Sequence, residues 1–284
     1  MIPPSVAPPT RRAPTLAAST LRVFDLSLGQ MLWSRRSAFL AVLLGGPVLV
    51  AAALRLASIS YGWGFRFRSQ QVAGDAVFGM MIWLLYVRFI IPVLGVFYGT
   101  SLVADEVEDK TITYLFTRPM PRSAVLLGKF LAYLVCTLLL VLPSVMLVFF
   151  LVVPTGGGSI AETFPSLVVD LGMLAVGLTA YGAVFAMVGT YLKRPLVIGL
   201  AFALGWEPAA LLIPGYLKQL TVAHYLQGLV THEMPQDSPI AILLQVVREV
   251  PSVATSLTAL SVIIVVTLWL AAWAVERREY VLEQ

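Results

Sequence analysis

Six stretches of this chain run for twenty residues or more with at most one charged residue each: Ala38–Ala57, Phe78–Val103, Ala124–Val153, Leu167–Leu192, Leu196–Leu217 and Val253–Val275. A hydrocarbon core about 30 Å thick is crossed by about 20 helical residues rising 1.5 Å each. A transmembrane barrel needs instead short segments of alternating polarity, about ten residues long. Composition points the same way. The 284 residues include 19 Lys+Arg and 15 Asp+Glu, so only 12% are charged, while 59% are apolar. That is too little charge to coat a soluble globule, and too much apolar content for a disordered chain. The expected fold is an all-α polytopic membrane protein with six transmembrane helices.

The remaining segments are read around those spans. Residues 1–15, with five prolines by Pro14, read as a disordered cytosolic tail. Residues 16–37 read as an amphipathic helix lying at the membrane interface, because Leu21, Phe24, Leu28, Met31 and Leu32 recur at helical spacing. Residues 38–276 hold the spans, and 277–284 form a cytosolic C-terminal tail. Lys193, Arg194 and Pro195 make a tight turn between the fourth and fifth spans, since proline disfavours helix in the residue before it. Thirteen basic residues fall on the side of the N-terminus and four on the other, which predicts both termini in the cytosol and a multi-pass protein of the cell membrane. The same rule accounts for the net charge of +4 without a nucleic-acid partner.

Three outer loops are expected, Ser58–Val77, Pro154–Ser166 and Lys218–Ser252. The last holds both histidines, His224 and His232, and an apolar run over Ile240–Val247, too short to span, that reads as a re-entrant or surface helix. The single cysteine, Cys136, lies within an apolar run and reads as packing.

Catalytic motifs are missing. Gly128-Lys129 is followed by Phe130 rather than Ser or Thr, and Ser123 stands where a phosphate loop needs its first glycine. No Gly-x-Ser-x-Gly elbow or His-Glu-x-x-His pair occurs, and two histidines in one loop make a poor metal site. The chain is therefore expected to be no enzyme, with no cofactor and no metal of its own.

The most informative segment follows the second span. Asp105, Glu106, Glu108 and Asp109 place four carboxylates at the cytosolic edge, where basic residues are the rule. Asp109 or Thr111 can cap a helix start, Ile112–Thr117 spans about one and a half turns, and Pro119 and Pro121 stop it. A short stiff helix offering Tyr114, Leu115 and Phe116 suits docking into a groove on a cytosolic partner.

This stretch resembles the ABC-2-type permeases, the membrane subunits of a class of ATP-driven ABC transporters. The resemblance rests on Asp105-Glu106, Lys110-Thr111, Leu115, Arg118-Pro119, Arg122 and Gly128-Lys129, with Lys110 standing where the family often has glycine. Leu204-Gly205-Trp206-Glu207, Leu212-Ile213-Pro214-Gly215 and Leu220 to Tyr225 are similar to one branch of these permeases. It implies a permease subunit, an exporter by family habit, paired with a second permease chain and with two separate ATPase subunits. Those partners would bind ATP and Mg. The resemblance further implies that Ile112–Thr117 is a coupling helix, with Asp105, Glu106, Glu108, Asp109, Thr111, Tyr114, Leu115, Phe116, Arg118 and Arg122 forming the ATPase-coupling interface. The rival is a stand-alone channel or an ion-coupled secondary transporter.

That rival draws on two charges, Arg88 and Glu207. Each falls about 15 Å into its span, near the bilayer midplane, where a charge costs about 2.5–3.5 kcal/mol on insertion scales. They are expected to pair, within one chain or across a dimer, or to line a wet cavity. Arg55 and Asp170 read as shallow. Ala175, Thr179 and Ala183, with Gly182, Ala186 and Thr190 beside them, form a small-residue stripe on the fourth span that reads as close helix packing.

Overall fold

The computed structural model describes residues 15–33, 35–61, 66–67, 70–71, 73–103, 122–212, 216–230 and 251–277. Within them the chain is almost wholly helical. Helix α1 covers Leu16–Leu32 and α2 Arg35–Tyr61. A two-residue antiparallel ladder, β1 (Arg66–Phe67) with β2 (Gln70–Gln71), precedes α3, Gly74–Val103. Then come α4 (Arg122–Val152), α5 (Ile160–Tyr191), α6 (residues 195–212), α7 (Val222–Gln227) and α8 (Val253–Arg277).

Five of these helices, α2, α3, α4, α5 and α8, are long and apolar enough to cross a membrane. The expected fifth span, Leu196–Leu217, differs. Its helix α6 is described as far as residue 212, and within the expected span Tyr216 already opens a 3₁₀ turn, Tyr216–Leu220, that leads into the short α7. Thus part of the expected outer loop Lys218–Ser252 is folded: Lys218, Thr221, Val222, Ala223, His224 and Leu226 are all buried. The other two loops are shorter than expected, because α2 runs to Tyr61, α3 starts at Gly74 and α5 starts at Ile160. The turn at Pro195 falls where expected, with Pro195 opening α6. The run Ile240–Val247 and His232 lie outside the described residues.

α3, α4 and α5 form the centre, with α2 and α8 laid against α4 and α5. In lipid, apolar faces gain little from meeting one another, so helices associate through close van der Waals fit and hydrogen bonds. The chain supplies both. A Cβ on Gly189 would stand 2.5 Å from the carbonyl oxygen of Thr100, and one on Gly95 would stand 2.7 Å from Cβ of Tyr181. These glycines let α3 and α5 touch backbone to backbone. Gly182 receives the ring of Tyr133 from α4, whose hydroxyl donates to the carbonyl of Leu178 at 2.8 Å. The stripe on the fourth span thus packs as expected over Gly182, Ala183 and Ala186, all buried. A second stitch joins three helices: Tyr86 donates to Ser144 at 2.8 Å, and Ser144 donates to the carbonyl of Leu44 at 3.2 Å.

α1 packs along α4. It ends at Leu32, and the side packed on α4 is its small polar one. Ser19, Thr20 and Ser27 are buried, whereas Leu21 is 63% exposed and Leu26 68% exposed. The reason is Gly128: a Cβ there would lie 2.7 Å from both the carbonyl oxygen of Thr20 and Cβ of Val23. Close approach at this glycine brings the backbone of α1 against α4, with Leu21 and Leu26 on the outward side and Leu28 half-buried.

Candidate functional site

Among the described residues, one buried polar group centres on Glu207. Glu207 opens the second half of α6 and is 3% exposed. One carboxylate oxygen accepts the hydroxyl of Tyr181 from α5, and the other accepts the backbone N–H of Val222 at 3.1 Å. The N–H of Ala223 is directed at the same carboxylate. Thr221 makes this possible. Its hydroxyl caps α7 by accepting from His224 N–H at 3.3 Å, fixing the first turn so that the next amides point at Glu207. A carboxylate buried in this way needs several donors, because an unpaired charge in an apolar interior is very costly.

Arg88 lies across from this group. Glu207 and Tyr181 are its electrostatic neighbours, and its guanidinium carbon sits 5.6 Å from the centre of the Trp83 ring. Arg88 and Glu207 are therefore drawn into one region, but no ion pair within 4 Å joins them among the described residues. Tyr181 and the start of α7 hold the carboxylate instead. Nε of Arg88 is buried without a hydrogen-bond partner.

The backbone is unusual at both charges. Ile82–Ile90, which contains Arg88, and Ala201–Trp206, which ends beside Glu207, are wound as π-helix, as is Gly95–Gly99. The first two stretches lead into prolines, Pro92 and Pro208. Pro92 has no N–H for the carbonyl of Arg88 four residues back, and Pro208 has none for that of Leu204. The wider winding falls where those α-helical bonds are missing. Proline alone does not dictate this, since Pro47, Pro143 and Pro165 sit within α-helix.

Of the other residues singled out from the sequence, Arg122 opens α4 and is half-buried. Asp105, Glu106, Glu108, Asp109, Thr111, Tyr114, Leu115, Phe116 and Arg118, and with them the expected coupling helix, lie outside the described residues. Arg55 is half-buried near the end of α2. Asp170 is fully buried among the packed helices. Among the described residues no three His, Cys, Asp or Glu side chains converge as metal ligands.

Sequence reasoning missed Tyr181 and the amides of Val222 and Ala223. One signal was available: Thr221 followed by Val-Ala-His is a helix-start pattern, and the first amides of any helix need acceptors.

A profile of the family described as "ABC-2 family transporter protein" matches residues 48–280. A search of curated proteins finds no match to the chain.

Proposed function

The chain belongs to the ABC-2 family of transporter proteins, membrane components of ABC transporters that work with ATPase subunits, and on that premise we propose that it is the permease half of an ATP-driven exporter. The observation that carries this is the family match, which takes in α3 to α8 and the second half of α2. In this reading two permease chains pair in the cell membrane, each with both termini in the cytosol and six membrane-crossing segments, α6 being the shortest. Each engages one ATPase subunit. The sequence lacks a phosphate loop, so ATP and Mg belong to that partner, and this chain performs no chemistry.

Work passes between the subunits through Asp105–Arg122. Closure of the ATPase pair pushes on Ile112–Thr117, and that displacement reaches α3 on one side and α4 on the other. The acidic residues Asp105, Glu106, Glu108 and Asp109 answer basic groups on the partner, while Tyr114, Leu115 and Phe116 fill its groove.

Two experiments test the reading. A tagged chain expressed with its genomic neighbours should co-purify with a protein carrying a phosphate-loop motif. Purification of the chain without any ATPase, under conditions that preserve complexes, refutes the assignment. Leu115→Asp should leave membrane insertion intact and abolish ATPase association or stimulation. Wild-type ATPase association in that variant removes the coupling role of the segment.

A further inference from the structure

Arg88 has no direct ionic partner among the described residues. Glu207, the nearest acid by chemistry, already has its oxygens engaged by Tyr181 and by the start of α7. A guanidinium offers five N–H donors in a planar fork that matches a carboxylate or phosphate. Here Nε is buried and unbonded, and Trp83, itself buried, covers one side of the group. The rest of Arg88 is partly open. Leu84, four residues before it, is 52% exposed, and Phe89 beside it is 43% exposed. Half-buried Arg88 and these exposed apolar residues therefore lie on the same stretch of α3.

We propose that Arg88 is a recognition point for the oxyanion head of a membrane-partitioned amphiphile, whose apolar body lies along the Leu84 and Phe89 flank. The class is a carboxylate or phosphate monoester on a hydrocarbon chain. The position argues for cargo rather than a resident lipid. Arg88 is the fifteenth residue of the thirty-residue α3, roughly 20 Å from either end, whereas resident headgroups sit at the two surfaces. An anion that reaches Arg88 is in transit. That cargo role rests on the transporter reading above; the anion site itself does not.

The test uses the full-length chain, with and without its ATPase, in nanodiscs of phosphatidylcholine. Radiolabelled oleate and dodecyl phosphate are the probes, and oleyl alcohol is the uncharged control. Saturable binding of both anions and none of the alcohol is expected. Arg88→Gln should weaken both anions by about tenfold or more, and Arg88→Lys by less, because a point charge survives without the fork. Equal binding by wild type and Arg88→Gln overturns the proposal, as does wild-type binding that does not distinguish oleate from oleyl alcohol. Should Arg88→Gln fail to fold, the wild-type comparison still decides. Displacement of oleate by phosphatidylglycerol at equal mole fraction overturns the cargo role and leaves a lipid site. Loss of ATPase association with anion binding intact removes the transporter reading alone.

Discussion

α2 and α3 are nearly equally apolar, yet they occupy opposite situations. In the most apolar stretch of each, 72% of residues are buried in α3 and 22% in α2. α8 is as bare as α2, and α5 is closer to α3. Hydrophobicity decides that a helix enters lipid, but it does not decide whether the helix faces lipid or protein. That choice is made by residues that allow contact or demand a partner. α3 carries Gly95, Gly99, Tyr86 and Arg88; α5 carries Gly182, Gly189 and Tyr181. α2 has Gly45 and Gly46, but nothing lies within 4 Å of where their Cβ atoms would be. A glycine builds an interface only when a second helix comes to meet it.

The sharpest way to break this contrast is to add one methyl group in two places on the same helix. Gly189→Ala pushes a Cβ against a backbone carbonyl that has no rotamer to escape through, and should cost about 1–3 kcal/mol. Gly172→Ala, with open space around it, should be neutral or gain up to about 1 kcal/mol from helix propensity. Thermal unfolding in nanodiscs reads both; equal losses would dissolve the distinction between inner and outer faces.

A second measurement asks what holds Glu207. A double-mutant cycle of Tyr181→Phe with Glu207→Gln should give a coupling of about 0.5–3 kcal/mol. The cycle of Arg88→Leu with Glu207→Leu should give less, because those two groups are not in contact. The reverse order would make the ion pair, rather than the phenol, the anchor of α6. The smallest effect belongs to the outer helices. Val265→Ala on α8, at a residue 65% exposed, should change stability within about 0.5 kcal/mol; a larger loss would mean that this face has a protein partner.

Much of the architecture was legible because lipid imposes a simple rule: a helix that crosses must be long and apolar. The spans of α2, α3, α4, α5 and α8 follow from that rule to within several residues. The ends were less legible. α5 begins at Ile160 rather than Leu167 because its first turns carry Glu162 and Pro165, which blur the apolar pattern without preventing helix. The end of α6 carries no clear apolar boundary, since Leu211, Leu212, Ile213 and Leu217 are apolar enough to extend a span, whereas Tyr216–Leu220 is a 3₁₀ turn. The site was half legible. A lone charge within an apolar run announces itself, so Arg88 and Glu207 stood out. Tyr181 did not, because a tyrosine among apolar residues reads as core, and the amides at residues 222 and 223 leave no mark in side-chain chemistry.

The arrangement around Glu207 also sets an order for biogenesis. A ribosome delivers the chain from its N-terminus, so Tyr181 emerges 26 residues ahead of the glutamate and its phenol is waiting. The amide of Val222 is fifteen residues late. Until it arrives, the newly threaded helix holds an acid only partly matched, and the insertion machinery must shelter it or let it wait at the rim. Full satisfaction of the buried acid therefore waits on synthesis of the segment that follows it.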